Sequence, residues 1–357
     1  MTSAGRIPVA ILGATGAVGQ TFIRLLDGHQ WFRVAEVAAS DRSAGKRYAE
    51  ATHWIEGSLP AEVAGLTVKP CDPALLTSPV VFSALDAAAA GELEPAFARA
   101  GRLVLSNAKN FRMEADVPLV IPEVNAGHLD LIAAQRAARG WSGAIVTNAN
   151  CAATVATMAM APLHERFGLR SVFVATMQAI SGAGYPGVAS LDILGNVIPY
   201  IGDEEPKIER EMQKMLGRLA GKTIEPAPFV VSAHANRVAV ENGHTVCLSM
   251  AFETKPTVDQ AIAAIREWRG AAEVSGLPSA PEVPLRYRDE ADRPQPRRDV
   301  GDGRGMTVSV GRMREDPILD LRMVAMGHNT IRGAAGGSIL NAEVLVKSGV
   351  IPRTARG

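Results

Sequence analysis

Ile7-Pro-Val-Ala-Ile-Leu12-Gly13-Ala-Thr-Gly16-Ala-Val-Gly19 is the stretch that decides the fold. Its first six residues are a continuous apolar run, the pattern of a parallel strand covered on both faces. Three glycines follow at once, and Phe22, Ile23, Leu25 and Leu26 then mark one face of a helix. Strand, glycine turn and helix in immediate succession make a dinucleotide-binding element. The glycines let the backbone turn sharply and approach a pyrophosphate, and the unpaired N–H groups of the helix N-terminus bind it. The G-x-x-G-x-x-G spacing differs from the commoner G-x-G-x-x-G, so the context carries the reading. Gly13, Thr15, Gly16, Ala17 and Val18 are the expected cofactor contacts. A glycine turn kept only for helix–strand packing is the competing reading.

Outward from this element, Val34–Ala39 reads as a second strand and ends in Ser40-Asp41-Arg42-Ser43-Ala44-Gly45-Lys46. Ser40, Arg42 and Ser43 suit a ribose 2′-phosphate and favour NADP, whereas Asp41 suits the free hydroxyl of NAD. Strands at 67–69, 80–83 and 103–105 alternate with helical segments, among them 86–99, and predict a doubly wound parallel sheet. Ser83 ends one strand and Ser106-Asn-Ala-Lys-Asn-Phe-Arg112 follows the next, both at the edge where such sheets bind ligands.

A further β-branched run, Ile145-Val-Thr147, leads through Asn148-Ala-Asn150 into Cys151, which opens a helix predicted to run to about Phe167. A thiol at a helix N-terminus is biased toward thiolate, the form that attacks carbonyls. The competing reading is a small buried hydrophobe.

From Ser171 the pattern changes. A long strand at 172–181 carries Gln178, an amide that needs partners if buried. Asp203-Glu-Glu-Pro-Lys207 reads as a helix start, either a set of caps or a paired carboxylate and ammonium for a charged ligand. Asn242-Gly243 between alternating runs predicts a β-hairpin, which would place Arg237 and His244 on one sheet face. That leaves Cys247 on the opposite face, read as core, with His234 and His328 as weaker rivals to His244. Residues 270–305, rich in Pro, Arg and Asp, read as a loop or interface segment.

The 357 residues allow two domains, and 47% apolar residues allow sizeable cores. A formal net charge of zero gives no basic field for nucleic acid or an anionic membrane surface, so small-molecule partners are expected. Three cysteines are too few for a disulfide framework and lack metal-ligand spacing. No signal peptide or membrane-spanning run is visible, and a cytoplasmic location is expected.

In order and spacing, these motifs resemble the aspartate-semialdehyde dehydrogenase family, in its archaeal- and fungal-like branch. The resemblance extends from Gly13–Gly19 through Asn150-Cys151, Gln178–Gly184, Glu204–Lys207 and Arg237/His244 to Asn329-Thr-Ile-Arg-Gly-Ala-Ala-Gly336. It implies a Rossmann-like dinucleotide-binding domain plus an α+β catalytic and dimerisation domain of the glyceraldehyde-3-phosphate dehydrogenase-like type. Cys151 would be the nucleophile, Gln178 would orient the acyl group, and His244 would be the acid/base. Arg237 would bind the substrate α-carboxylate and Glu204 its amino group, with Glu205 as the alternative. Arg112 and Lys207 would bind the phosphate, with Asn150 beside them, and Ser181, Gly182 and Asn329 would lie near the nicotinamide. Ser83, by its position at a strand end, is a further expected cofactor contact.

The implied reaction is NADPH-dependent reduction of L-aspartyl 4-phosphate to the semialdehyde through a cysteine thioester, in lysine, methionine, threonine and isoleucine biosynthesis. A homodimer or homotetramer is implied as well. Proline is expected where Ala149 stands, and hydroxylated residues where Ala152 and Ala153 stand. The expected domains are 1–150, completed by a returning segment 329–357, and 151–328. An acyl-CoA reductase of the same fold and a non-catalytic NADP sensor are the alternative functions.

Overall fold

A computed structural model describes residues 5–353, so the outermost parts of the expected domains, 1–4 and 354–357, lie outside it. The first sheet contains β1 (Ile7–Leu12), β2 (Phe32–Ala39), β3 (Val68–Pro70), β4 (Val80–Ser83), β5 (Leu103–Ser106) and β6 (Ala144–Thr147). All neighbours are parallel, in the order β3-β2-β1-β4-β5-β6. Chain direction across the sheet reverses between β1 and β4, which opens a crevice at their carboxyl ends. Gly13 sits at that point with φ +69°, and a Cβ there would lie 2.5 Å from the Ala84 carbonyl oxygen. Gly13 is therefore required by the turn itself.

The second sheet is mixed. Its strands are β7 (Leu169–Gln178), β10 (Val230–Arg237), β11 (His244–Phe252), β12 (Leu285–Arg288), β13 (Val308–Glu315) and β14 (Leu321–Gly327), ordered β10-β7-β11-β14-β13-β12. A small hairpin of β8 (Arg218–Ala220) and β9 (Thr223–Glu225) stands apart.

This order corrects the expected hairpin. β10 pairs with β7 in parallel and β11 pairs with β7 antiparallel, so β7 lies between the two strands flanking Asn242-Gly243. An Asn-Gly pair makes a two-residue turn only where the flanking residues pair with each other. Here residues 238–243 cross over the end of β7 instead, and the Gly243 N–H donates to Asn329 Oδ1 at 2.9 Å. Arg237 and His244 still reach one end of the sheet, by topology rather than by a hairpin.

The Cys151–Phe167 helix, buried along most of its length, packs with the Glu204–Met215 and Val258–Glu267 helices on one face of the second sheet. Along β7, Val172, Val174, Thr176 and Gln178 turn toward that core, while Phe173 and Met177 are exposed on the other face. Cys247 lies on this uncovered face and is only partly buried, not in the core as expected. Within 270–305, which showed no motif, Leu285–Arg288 forms the edge strand of the sheet. Ala271 N–H donates to the Glu123 carbonyl at 2.8 Å and Ser279 N–H to Glu343 at 3.1 Å, so this stretch also ties the two sheets' layers together.

After β14 the chain makes a π-helical turn, Ile331–Ala335, and continues as the Gly336–Lys347 helix. Ile339, Leu340, Val344 and Leu345 return to the core of the first sheet. The turn is pinned by Arg332, whose guanidinium forks onto the buried Glu123 carboxylate and donates from Nε to the Met306 carbonyl at 2.8 Å. π-turns concentrate at functional sites, and this one passes directly beside Cys151.

Candidate active site

Cys151 is the first residue of its helix. The preceding Asn150 is the N-cap: its side-chain oxygen accepts the Ala152 and Ala153 N–H groups at 3.0 Å each. Asn148 ties the same loop to the returning helix, donating to the Ala334 carbonyl at 2.6 Å and accepting from Asn341 at 2.9 Å. Ala149 is buried between them, and the helix starts correctly without the expected proline. Gly333 comes so close that a Cβ there would lie 2.6 Å from Cys151 Cβ.

Sγ of Cys151 is 3.1 Å from Nε2 of His244, which begins β11 and is fully buried. The other ring nitrogen, Nδ1, accepts the Ala179 N–H at 3.0 Å. A neutral imidazole that accepts at Nδ1 carries its proton on Nε2, so His244 directs an N–H at the sulfur. Burial, with the Arg237 guanidinium near, pushes the imidazole down to about 3. Burial and the Glu204 carboxylate push the thiol up to about 12, against the pull of Arg112 and Arg237. The resting pair is therefore thiol and neutral imidazole, and burial outweighs the helix end that was expected to favour thiolate.

Ala179 links Arg237 to His244, because its carbonyl accepts from Arg237 Nη1 at 2.8 Å while its N–H holds His244. Arg237 ends β10 directly beside Gln178 at the end of β7. Gln178 is buried, lines the same cavity, and its Nε2 donates to Thr176 Oγ1 at 3.3 Å.

The opposite wall comes from the Glu204–Met215 helix. Glu204 accepts from Asn150 Nδ2 at 2.6 Å and lies 3.5 Å from Lys207 Nζ. Glu205 turns away, accepting the Ala235 N–H of β10 at 3.0 Å, so Glu204 is the carboxylate at the cavity.

Arg112 donates to Glu211 Oε1 at 3.0 Å and to the Asn107 carbonyl at 2.8 Å. Glu211 Oε2 also accepts the Asn150 N–H at 2.6 Å, so one buried carboxylate joins Arg112 to the residue before Cys151. Glu211 was not singled out from the sequence. Its signal is the i, i+7 spacing from Glu204, which returns it to the same helix face. Lys214, one turn on, buries its ammonium against the carbonyls of Arg112, Glu114 and Val117 at 2.7, 2.7 and 2.9 Å and so fixes the Arg112 loop.

These groups surround a cavity of about 400 Å³ that also touches Val18, Ser181, Gly182, Asn329 and Gly333. Asn329 donates to Ser181 Oγ at 2.8 Å, joining β14's end to the turn after β7. The cavity runs toward the glycine turn. There the Ala17–Leu26 helix has Gly16 as N-cap with no side-chain capping bond, leaving its first N–H groups open to a phosphate. Tyr48 holds the turn from below, its hydroxyl donating to the Ala14 carbonyl at 2.7 Å. Ser40 and Arg42 are exposed and Ser43 partly so, at the carboxyl end of β2, beyond the cavity itself.

Ser83 is fully buried at the end of β4, its backbone carbonyl accepts from Asn107 Nδ2 at 3.0 Å, and it does not line the cavity. His234 is exposed on the uncovered sheet face against Phe173, and His328 Nδ1 accepts the Ile331 N–H at 3.3 Å. Neither has the sulfur contact of His244.

Comparison with known proteins gives one answer. A family model described as the semialdehyde dehydrogenase NAD binding domain matches residues 8–132, and one described as the semialdehyde dehydrogenase dimerisation domain matches 160–332. The chain is 48% identical to the aspartate-semialdehyde dehydrogenase of Archaeoglobus fulgidus, over 97% of this chain and 100% of that one. It is 43% identical to the Saccharomyces cerevisiae protein of the same name, over 98% and 100%. A crystal structure of aspartate semialdehyde dehydrogenase with NADP from Candida albicans superposes with a TM-score of 0.89 at 43% identity, covering 97% of this chain and 100% of that one.

Proposed function

The chain belongs to the aspartate-semialdehyde dehydrogenase family, and from that premise we propose that it reduces L-aspartyl 4-phosphate to L-aspartate 4-semialdehyde and inorganic phosphate with NADPH. The observation that carries this is Cys151 Sγ, 3.1 Å from His244 Nε2, between a guanidinium, Arg237, on one side and the Glu204/Lys207/Arg112 wall on the other. A short substrate with a carboxylate, an ammonium and an acyl phosphate matches those charges end for end. The Glu204 carboxylate argues against an acyl-CoA substrate lacking an amino group, and a cofactor sensor has no use for the sulfur–imidazole pair.

The sulfur attacks C4, the C–S bond forms, and the bond to the phosphate oxygen breaks. Arg112 and Lys207 take the charge of the departing phosphate, which carries off the thiol proton. Arg237 holds the α-carboxylate and Glu204 the ammonium, so C4 is fixed over the sulfur. Gln178 positions the acyl oxygen. NADPH, when bound, supplies the hydride that reduces the thioester. The His244 N–H stabilises first the thiolate and then the oxyanion, whose collapse breaks the C–S bond and releases the aldehyde, leaving a thiolate that regains its proton from solvent. To act as a proton acceptor the ring must move its proton to Nδ1 and give up the Ala179 bond. The resting geometry therefore equips it as a donor.

The open first turn at Ala17 and Val18, with the tight Gly13 turn before it, fits a pyrophosphate. Ser40, Arg42 and Ser43 would hold the 2′-phosphate, and Ser181, Gly182 and Asn329 the nicotinamide end.

The dinucleotide part is assigned to the first sheet with the returning helix, and the catalytic and dimerisation part to the second sheet with its helices. The uncovered face of the second sheet, with Phe173 and Met177 exposed, is the surface a homodimer or homotetramer would bury. The cysteines are free, which fits a reducing cytoplasm, and among the described residues no helix is long and apolar enough to cross a membrane.

The test is phosphate-dependent reduction of NADP by aspartate semialdehyde. Turnover in the parent that is lost in Cys151→Ser supports the reading, and turnover with malonyl-CoA but not with the aspartyl substrate would replace it.

A further inference from the structure

Behind the substrate cavity lies a second one of about 300 Å³, between the Lys109–Met113 stretch and the first turns of the Glu204–Met215 helix. Its walls carry four cations, Lys109, Arg112, Lys207 and Arg210, against two carboxylates, Asp203 and Glu211. Lys109, Arg112 and Lys207 also line the substrate cavity, so the two chambers share a cationic wall. Both acids are already engaged. Asp203 accepts from Lys109 Nζ at 2.8 Å, and Glu211 accepts from Arg112 and from the Asn150 N–H. Lys207 has only distant partners, at 3.5 Å, and Arg210 Nε donates to the Pro206 carbonyl at 3.2 Å. The Nε–H of Arg112, a residue 7% exposed, is buried without a partner. Such a donor is rarely left unpaired unless a ligand or water completes it.

We propose that this chamber is a second anion site, through which inorganic phosphate leaves and enters separately from the amino-acid substrate. The proposal rests on the reaction assigned above. When Cys151 takes the acyl group, the C–O bond breaks and phosphate is released at the Arg112–Lys207 wall. The acyl chain stays joined to sulfur, with its carboxylate on Arg237 and its ammonium on Glu204, and fills the cavity in front of the phosphate. Movement across the shared wall toward Lys109 and Arg210 keeps the anion among cations throughout. In the reverse direction, phosphate reaches the thioester by the same path.

Arg210 lines the second chamber and not the first, and it is exposed, so its replacement tests the chamber without a folding penalty. The assay is oxidation of aspartate semialdehyde with NADP while phosphate is varied. The KM for phosphate should rise about tenfold in Arg210→Glu and several-fold in Arg210→Ala, with the KM for the semialdehyde within about twofold of the parent. Arg218→Glu, the same charge change at an exposed position on β8, controls for general electrostatics. An unchanged phosphate KM in Arg210→Glu overturns the proposal. So does an equal rise in Arg218→Glu, or a rise in both KM values together. If the parent shows no turnover, the functional reading fails instead, and calorimetric titration of inorganic phosphate decides the chamber. Binding weakened about tenfold in Arg210→Glu supports it, and equal binding overturns it.

Discussion

Nε2 of His244 faces Sγ of Cys151 at 3.1 Å, while its Nδ1 is held by the Ala179 N–H at 3.0 Å. The second bond fixes the meaning of the first: the sulfur receives a hydrogen bond from a neutral ring. In the free protein Cys151 is therefore held mainly as a thiol across the neutral range.

Alkylation of Cys151 should report that storage. With the thiol pushed up to about 12, the thiolate fraction grows about tenfold per pH unit across the neutral range. Iodoacetamide inactivation of the free protein should therefore rise log-linearly from about pH 6 to 9. A plateau near neutral pH would show a thiolate–imidazolium pair instead.

Acid should weaken the fold early. His244 and His328 are pushed down to about 3 and about 4, mainly by burial, whereas in the unfolded chain they titrate near the usual imidazole value of about 6.5. Below that value the unfolded state binds protons that the native state refuses, so stability is lost as pH falls from about 6.5 toward 4. Chemical denaturation at pH 7 and 5 should show this. His328→Asn, which keeps an acceptor for the Ile331 N–H, should shrink the difference by roughly 1 to 2 kcal/mol, allowing for its partial exposure. An unaltered difference would remove His328 from the account.

Glu211→Gln leaves Arg112 without its buried counter-charge and weakens the tie to the Asn150 N–H. Breaking a buried pair from one side costs about 3 kcal/mol or more. Denaturant unfolding should register that loss, and kcat/KM should fall by about 100-fold because the cation and the nucleophile's helix lose their common anchor. A variant with parental stability and phosphate KM would show that Glu211 does not position the site.

Gly333→Ala drives a methyl group into Cys151 Cβ at 2.6 Å. Relief by overpacking costs about 1 to 3 kcal/mol, and a displacement of the sulfur near 1 Å costs about 100-fold in kcat. Steady-state kinetics beside a melting curve separate the two. Parental kcat would mean that the π-turn yields without moving the thiol.

Much of this was legible in the sequence, because local pattern and local structure coincide there. The strand–glycine–helix unit at 7–26 and the helix opening at Cys151 are fixed by their own residues: apolar runs, a required φ above zero at Gly13, and an Asn cap. The hairpin at Asn242-Gly243 failed because pairing is a long-range choice. β7, about sixty residues earlier in the chain, inserts between the strands, and no local signal records it. Gly333 matters only through Cys151, which folding brings against it. Glu211 is marked in the sequence by its helical spacing from Glu204, but acquires its partners, Arg112 and Asn150, only through the fold.

The central claim is that the acyl group passes through the sulfur of residue 151, and isolating that intermediate tests it most directly. Aspartate semialdehyde and NADP, mixed with the protein without phosphate, should leave a mass increase equal to one aspartyl acyl group on the peptide containing Cys151. Added phosphate should discharge it. An active protein that accumulates no adduct there under these conditions, or a Cys151→Ser variant that keeps parental turnover, would contradict the account.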